Sequence, residues 1–303
     1  MDRLDQLRTF LRVAELGSFT AAAASLGLPK ASVSLAVQRL ETALGTQLLH
    51  RSTRRVQLSA DGEQFQLRAR ALLEDVDEVQ GMFRREGVAL RGRLRVDMSS
   101  GLARHLVLPQ LPTFLARHPA LEIELSATDR RVDLVREGFD CVLRVGALDD
   151  NTLVARPLGA MAVVHCASPA YLASRGVPQT LQDLQHHALV HYTGTLGQRP
   201  MGFEYHDGQQ YRLLPMAGAV TVNSGEAYSA AALAGLGIIQ VPRLGVREAL
   251  ADGRLCEVLP HLQAEPMPVH LLYARRRHLP QRVAVFMDWV DAVVRPALLE
   301  AAP

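Results

Sequence analysis

The chain is poor in the groups that most enzyme chemistry uses. It has three cysteines in 303 residues, Cys141, Cys166 and Cys256, widely spaced and without a C-x-x-C pair. Two of them lie in apolar strand patterns, so reduced, buried thiols of a cytosolic protein are expected, not disulfides. The paired His186-His187 has no ligand spacing with another His or Cys, so no metal site is expected. G-x-S-x-G, the P-loop and a G-x-G-x-x-G ahead of a helix are all missing; the G-L-G at Gly235 to Gly237 follows a helix pattern, the wrong context for a dinucleotide. Neither catalytic residues nor a cofactor are expected. No apolar run approaches the roughly 18 residues of a membrane span, and the N-terminus reads as an amphipathic helix, not a signal sequence. A soluble, cytoplasmic protein with no membrane partner is therefore expected. Lysine is almost absent: Lys30 is the single one among 33 cations, as a genome rich in Arg codons would produce.

What is present is concentrated at the front. Ser18 to Leu44 reads as two helices joined by a short turn, the outline of a helix-turn-helix. Ser18 is a good N-cap, Gly27 can adopt the left-handed backbone that ends a helix, and Pro29 suits the first turn of the next. In the second helix Val33, Val37, Leu40 and Leu44 recur at steps of 4, 3 and 4, one apolar stripe for a core. The opposite side carries Lys30, Ser34 and Gln38 at i, i+4 and i+8, with Ser32 and Arg39 beside them. Short hydroxyls, an amide and cations hold phosphates and read base edges in a major groove. Taken alone, the same pattern also fits an ordinary solvated helix face. The turn before it and the basic segment after it favour DNA.

That basic segment, L-L-H-R-S-T-R-R-V-Q-L-S-A-D-G, sets Arg51, Arg54 and Arg55 between the apolar anchors Leu48/Leu49 and Val56/Leu58. Alternation at Val56, Gln57 and Leu58 implies a short strand, hence a hairpin wing that grips flanking backbone. Leu28 to Ala60 holds five cations against one anion, net +4, whereas Asp61 to Gln80 holds two against six, net −4. The overall charge of +2 conceals this separation. A local basic patch is what counterion release at a phosphate backbone needs. Ahead of the motif, Leu4, Leu7, Leu11 and Ala14 repeat at helical spacing, with Phe10 and Val13 widening the face.

From Asp61 to about Glu86 the pattern is one long helix, about 39 Å at 1.5 Å per residue. Phe65, Ala69, Leu72, Val76, Val79 and Phe83 form a heptad-like seam. The seam either pairs with a copy of itself, giving a homodimer suited to two DNA half-sites, or packs on the chain's own C-terminal domain.

Gly87 to Arg93 is a linker. From Gly92 on, 212 residues carry 20 cations and 20 anions and alternate strand and helix patterns, as in an α/β domain with a largely parallel sheet. The length favours two lobes with a ligand cleft where the sheets switch direction.

D-Q-L-R-T-F-L-R-V-A-E-L-G-S-F-T-A-A-A, V-S-L-A-V-Q-R-L-E-T-A-L-G and L-L-H-R-S-T-R-R-V-Q-L-S-A-D-G resemble the winged helix-turn-helix of LysR-type transcriptional regulators. D-R-R-V-D-L-V-R-E-G-F-D-C-V-L-R-V-G and V-N-S-G-E-A-Y-S-A-A-A-L-A-G-L-G-I-I-Q-V-P resemble that family's effector-binding domain. Leu49 stands where the family usually has Phe, Ser59 where it has Thr, and Lys30 near a common Gln; the third change bears on the DNA sequence read. The resemblance implies an α+β multi-domain chain. Residues 1–60 would form the DNA-binding domain, 61–86 a dimerisation helix, and 92–303 a two-lobed α/β effector domain similar to periplasmic binding proteins. Lobe I would be about 92–164 plus 267–303, lobe II about 165–266. It further implies binding to double-stranded promoter or operator DNA, control by a small-molecule effector between the lobes, and a homodimer or homotetramer.

At that cleft Ser99 and Ser100 follow the first strand and open a helix, an arrangement suited to an anionic or aromatic effector. Thr128 and the pair Asn223-Ser224 repeat it from other strand ends, though each also fits simple N-capping. Arg144, at a strand end, either neutralises an anionic effector or makes an interlobe salt bridge. His191 is expected to be structural. An enzyme with an appended DNA-binding domain and a solute receptor are the other classes; the first lacks a visible catalytic constellation and the second an export signal.

Overall fold

The computed structural model describes residues 2–51, 56–81, 90–148, 153–199, 201–275 and 279–300. The chain forms two compact units, Met1–Gly92 and Arg93–Pro303.

The first unit opens with α1 (Arg3–Leu16), whose start is fixed by a reciprocal capping box: the Asp5 N–H donates to the Asp2 carboxylate at 2.7 Å and the Asp2 N–H to the Asp5 carboxylate at 3.2 Å. Ser18 Oγ caps α2 (Phe19–Leu26) by accepting the Ala21 N–H, and left-handed Gly27 ends it. The chain then bends by 109° into α3 (Lys30–Leu44), within the range of a helix-turn-helix. Pro29 sits one residue earlier than expected, as the N-cap. Phe10 and Val13 of α1, Ala22 and Ala23 of α2, and Val33, Val37 and Leu40 of α3 bury one core with Leu48 and Leu49. Leu44, read as part of the stripe, is 43% exposed in the last turn before left-handed Gly45.

The expected wing is a pair of antiparallel strands, β1 (Leu49–Arg51) and β2 (Val56–Leu58), with Arg51 opposite Val56. Glu41, the one anion of the basic segment, accepts the Leu48 and Leu49 N–H groups at 2.9 and 3.1 Å and ties α3 to β1. Ser59 Oγ donates to the Gln47 carbonyl at 2.6 Å and accepts the Gly62 N–H at 2.9 Å, so it caps α4 (Ala60–Gly81) as Thr would. Among its described side chains α4 spends part of its seam inside its own unit. Phe65 meets Phe10 with ring centroids 5.5 Å apart, and Ala69 and Leu73 are buried with the three-helix core. Residues 65, 69 and 73 form a straight i+4 ridge toward α1, which rotates Leu72 away, 48% exposed. The side chain of Val79, and Phe83 altogether, lie outside the described residues.

In the second unit the order is β3 (Arg91–Met98), α5 (Ser100–Leu102), a π-helical turn over Ala103–Val107, α6 (Leu108–Arg117), β4 (Ala120–Ala127), α7 (Leu134–Glu137), β5 (Cys141–Val145) and β6 (Leu153–Met161). Then come β7 (Val163–Ala167), α8 (Pro169–Arg175), β8 (His191–Tyr192), β9 (Phe203–His206), β10 (Tyr211–Leu214), β11 (Thr221–Val222) and α9 (Gly225–Leu233). The chain ends with β12 (Ile239–Pro242), α10 (Arg243–Ala251), β13 (Cys256–Glu257), β14 (Met267–Ala274) and α11 (Gln281–Glu300). Helix α8 was not anticipated, although Ser168-Pro169 is a cap followed by proline at the first helical position.

Two sheets define two lobes. Lobe I is a five-stranded sheet in the order β4-β3-β5-β14-β6. Lobe II joins β12-β7-β13 to the parallel pair β8–β11 through the Leu189–Ile238 bridge. The sheets are mixed, not largely parallel: β14 is antiparallel to β5 and β6, and β7 to β12 and β13. The strands at the two crossings cause this, because β7 enters lobe II and β14 re-enters lobe I against their neighbours. The first crossing falls at Ala162, between β6 and β7, and not after Val164.

Period-2 alternation along β7 feeds two cores. Val164 and Cys166 pack toward α9 and α10, while Ala167 packs toward α8. His165 is buried beside Phe203, its Nδ1 accepting from the Gln240 amide at 2.9 Å and its Nε2 donating to the Leu262 carbonyl; burial lowers its pKa and keeps it neutral. Cys166 and Cys256 stand one register step apart on β7 and β13, on opposite faces of the sheet, so they are not placed to bond. Burial pushes the Cys166 thiol up to about 12, and Cys141 is raised likewise.

Glycine 62 is held by contact, not by its backbone angle. A Cβ there would lie 2.0 Å from the Leu48 carbonyl oxygen, whereas one at Gly101 would meet nothing within 4 Å. Gly62→Ala is therefore expected to destabilise the first unit by about 1–3 kcal/mol, and Gly101→Ala to leave the second unchanged or more stable. Urea unfolding of both variants checks this.

Candidate nucleic-acid interface and effector cleft

Helix α3 separates its faces cleanly. Val33, Ala36, Val37 and Leu40 are buried, while Lys30, Gln38 and Arg39 are exposed and Ser32 and Ser34 half-buried. The ridge Lys30–Ser34–Gln38 runs along the outer side. Beside it lies a residue the sequence reading passed over: Leu35 is 46% exposed, one turn from the exposed Ala31 and Arg39. Its signal was available, since a leucine out of phase with the 33-37-40 stripe must face away from the core. Arg51 ends β1, and its side chain lies outside the described residues, as do Arg54 and Arg55 entirely.

In the second unit the predicted residues gather at the strand ends, and their polar atoms are largely engaged with two aspartates. Asp97, on β3, is fully buried. It forms an ion pair with Arg144 of β5, whose side chain is 13% exposed, and accepts the Thr128 hydroxyl at 3.1 Å. Arg144 thus bridges within lobe I, and its charge is answered by Asp97. Thr128 also donates its N–H to the Met98 carbonyl at 2.9 Å, closing β4 onto β3. The second aspartate is Asp129. One of its oxygens accepts the Ser100 N–H at 3.0 Å and the Ser100 hydroxyl at 2.9 Å; the other lies 2.8 Å from that hydroxyl and accepts the Gly225 N–H at 2.7 Å.

Ser224 Oγ accepts the Ala227 N–H at 3.2 Å and caps α9, the structural alternative expected for it. Ser99 precedes α5 without a side-chain cap bond, and Asn223 is exposed. Tyr192, half-exposed on β8, has its ring 5.5 Å from Tyr228, and its hydroxyl pKa is raised by partial burial and then by the charge of Asp129. His191 is buried on the same strand; burial lowers its pKa, in keeping with a structural role. Asp97, Asp129 and Tyr192 were missed because each is defined by what another strand brings to it. A carboxylate inside the apolar run of β3 was the one available warning.

A winged helix-turn-helix followed by two α/β lobes with polar strand ends between them defines a DNA-binding protein controlled by a small molecule. Residues 4–63 match the family described as "Bacterial regulatory helix-turn-helix protein, lysR family", and residues 88–295 match the "LysR substrate binding domain". The chain belongs to the LysR family of bacterial transcriptional regulators. It is 48% identical to the Escherichia coli HTH-type transcriptional regulator YhjC, over 98% of this chain and 100% of that one. It is 36% identical to an HTH-type transcriptional repressor of Pseudomonas aeruginosa (96% and 92% covered) and 35% to the E. coli activator AaeR (95% and 93%). Among solved structures it is similar to the full-length Vibrio cholerae virulence activator AphB, with 29% identity, 96% and 99% coverage and TM-score 0.58. It is likewise similar to CrgA of Neisseria meningitidis, with 30% identity, 95% and 97% coverage and TM-score 0.59. Proteins of this family bind promoter DNA and small-molecule effectors. Among the described residues no single helix is long and apolar enough to cross a membrane.

Asp97→Ala is expected to leave Arg144 buried without its partner and to cost the second unit about 3–5 kcal/mol. Chemical denaturation of the full chain measures it, with the first unit's transition unchanged.

Proposed function

We propose that the chain regulates transcription by holding an operator through α3 and the wing, as a homodimer or dimer of dimers. A small molecule in the cleft near Ser99, Thr128, Asn223 and Tyr192 changes that hold. The observation that carries the DNA half is the outward ridge Lys30–Ser34–Gln38 on a helix whose other face is buried. Gln38 suits bidentate contact to adenine, Ser34 either groove edge, and Lys30, Ser32 and Arg39 the flanking phosphates or guanine. Leu35 and Ala31 add apolar surface of the kind that meets thymine methyl groups. Arg51, Arg54 and Arg55 supply sequence-independent charge. In the cleft, Arg144 and Thr128 serve the effector indirectly, by shaping the strand ends through Asp97. The protein acts by binding alone, in the cytoplasm, without a catalytic step. Both a repressor and an activator are among its relatives, and either sign of control fits this reading.

Oligomerisation through α4 is supported by Leu72, exposed on the face turned away from its own core. A ligand controls such an assembly only by preferring one lobe arrangement over another.

Gln38→Ala is expected to relax base preference by about 1–3 kcal/mol at one position, while Arg54→Ala weakens all sequences alike and flattens the salt dependence. Binding curves on a duplex selected by the protein and on its scrambled version decide this; an unchanged preference in Gln38→Ala overturns the assignment. For the second, Leu72→Glu places like charges against each other at the seam, and light scattering is expected to show dissociation to the monomer mass. A variant that retains the parent's mass places the interface elsewhere.

A further inference from the structure

Asp129 occupies an unusual place. It follows β4 in lobe I, yet its carboxylate joins the two lobes: one side takes the N–H and hydroxyl of Ser100, at the start of the lobe I helix, and the other takes the Gly225 N–H, at the start of α9 in lobe II. Three neutral donors converge on one anion, and two of them are backbone amides at helix starts, where negative charge is favoured. A second contact spans the same seam, Arg104 with Glu226 at 3.1 Å, but both side chains are mostly exposed and the pair is correspondingly weak. Arg144, at the neighbouring strand end, is already paired with Asp97. Half-buried and met by three donors, Asp129 is therefore the stronger of these two charged bridges between the lobes.

We propose that Asp129 is a latch: its carboxylate holds the lobes of the effector domain together across the Ser100–Gly225 seam. This rests on the effector-responsive reading above and adds the element that an effector must act on. The lobes are joined covalently by two crossings, at Ala162 and between β13 and β14, so a non-covalent bridge at the cleft sets how they rest against each other. A molecule presenting its own carboxylate competes with Asp129 for the same three donors. The device is an internal substitute for such a ligand.

Gly225 allows the bridge to be cut from either side. A Cβ there would lie 3.5 Å from the Asp129 carboxylate, an ordinary contact, so Gly225→Ala keeps the N–H and serves as the control. Gly225 is the first residue of α9, where proline is well tolerated, so Gly225→Pro removes the lobe II donor and spares the helix.

The test uses the full chain. Hydrogen exchange of the first turn of α9 is expected to rise about tenfold or more in Asp129→Ala and in Gly225→Pro, and to stay at the parent level in Gly225→Ala. Acetate at about 0.1 M is expected to restore protection and melting temperature to Asp129→Ala, with chloride and acetamide at equal concentration restoring neither. Gly225→Pro, which lacks the donor, should not be rescued. Should Asp129→Ala fail to fold, Asp129→Leu removes every acceptor at similar shape, with raised exchange expected in α9. Unchanged exchange in the folded Asp129 variant, or rescue by chloride equal to that by acetate, overturns the latch. Operator binding by the parent, measured on the same preparation, reports separately: its absence overturns the regulator reading and leaves the latch standing.

Discussion

A fully buried carboxylate organises the effector domain. Asp97 lies in the middle of a sheet, out of reach of water, and an isolated charge there would be untenable. The guanidinium of Arg144 and the hydroxyl of Thr128 answer it, and in doing so they draw the ends of three strands to one point. The lobe I strand ends are placed by this arrangement. Ser99, Ser100 and Asp129 each lie within a few residues of Asp97 or Thr128, so their positions follow from how that charge is neutralised. A removable salt bridge on the surface would not impose such order, because solvent would compete for both partners.

The two units meet different demands. The first is too small to bury much surface, and it gains rigidity from specific devices: a reciprocal cap at Asp2 and Asp5, left-handed glycines after α1, α2 and α3, Glu41 on the wing amides, and the close approach of Gly62 to Leu48. Part of the long helix is recruited as a fourth wall through Phe65, Ala69 and Leu73. The outer side of α3 is thereby presented on a scaffold that does not depend on the charges it displays. The second unit buries separate cores on the two sides of β7 and keeps polar groups at its strand ends.

Much of this was readable in advance. The N-caps, the glycine turns, the buried stripe of α3 and the polar ridge opposite it follow from local rules with a period of 3.6 residues. Asp-Gly between apolar runs marks a hairpin by local rules too, and Asp207 accepts two backbone amides in the turn joining β9 to β10. Readings that depended on one more step fared less well. The spacing along α4 predicts one continuous heptad seam, but the core selects 65, 69 and 73 and leaves 72 exposed, a choice made by packing against α1. The sequence leaves Thr128 and Arg144 open between contact with an anionic effector and a structural bond. The chain brings its own anions, Asp97 and Asp129, and no spacing in the sequence joins residues 97 and 144 or 129 and 225.

The sequence by itself determined the family, the helix-turn-helix and which face of α3 meets the solvent, because those properties reside in contiguous segments whose side chains repeat with the backbone's own period. Tertiary structure alone decided which polar groups remain open at the cleft, which leucine of α4 faces outward, and that Asp129 bridges two lobes. Each of those depends on pairing between residues far apart in the chain, and the free energy of a buried charge is set by whatever the fold brings within about 3 Å of it.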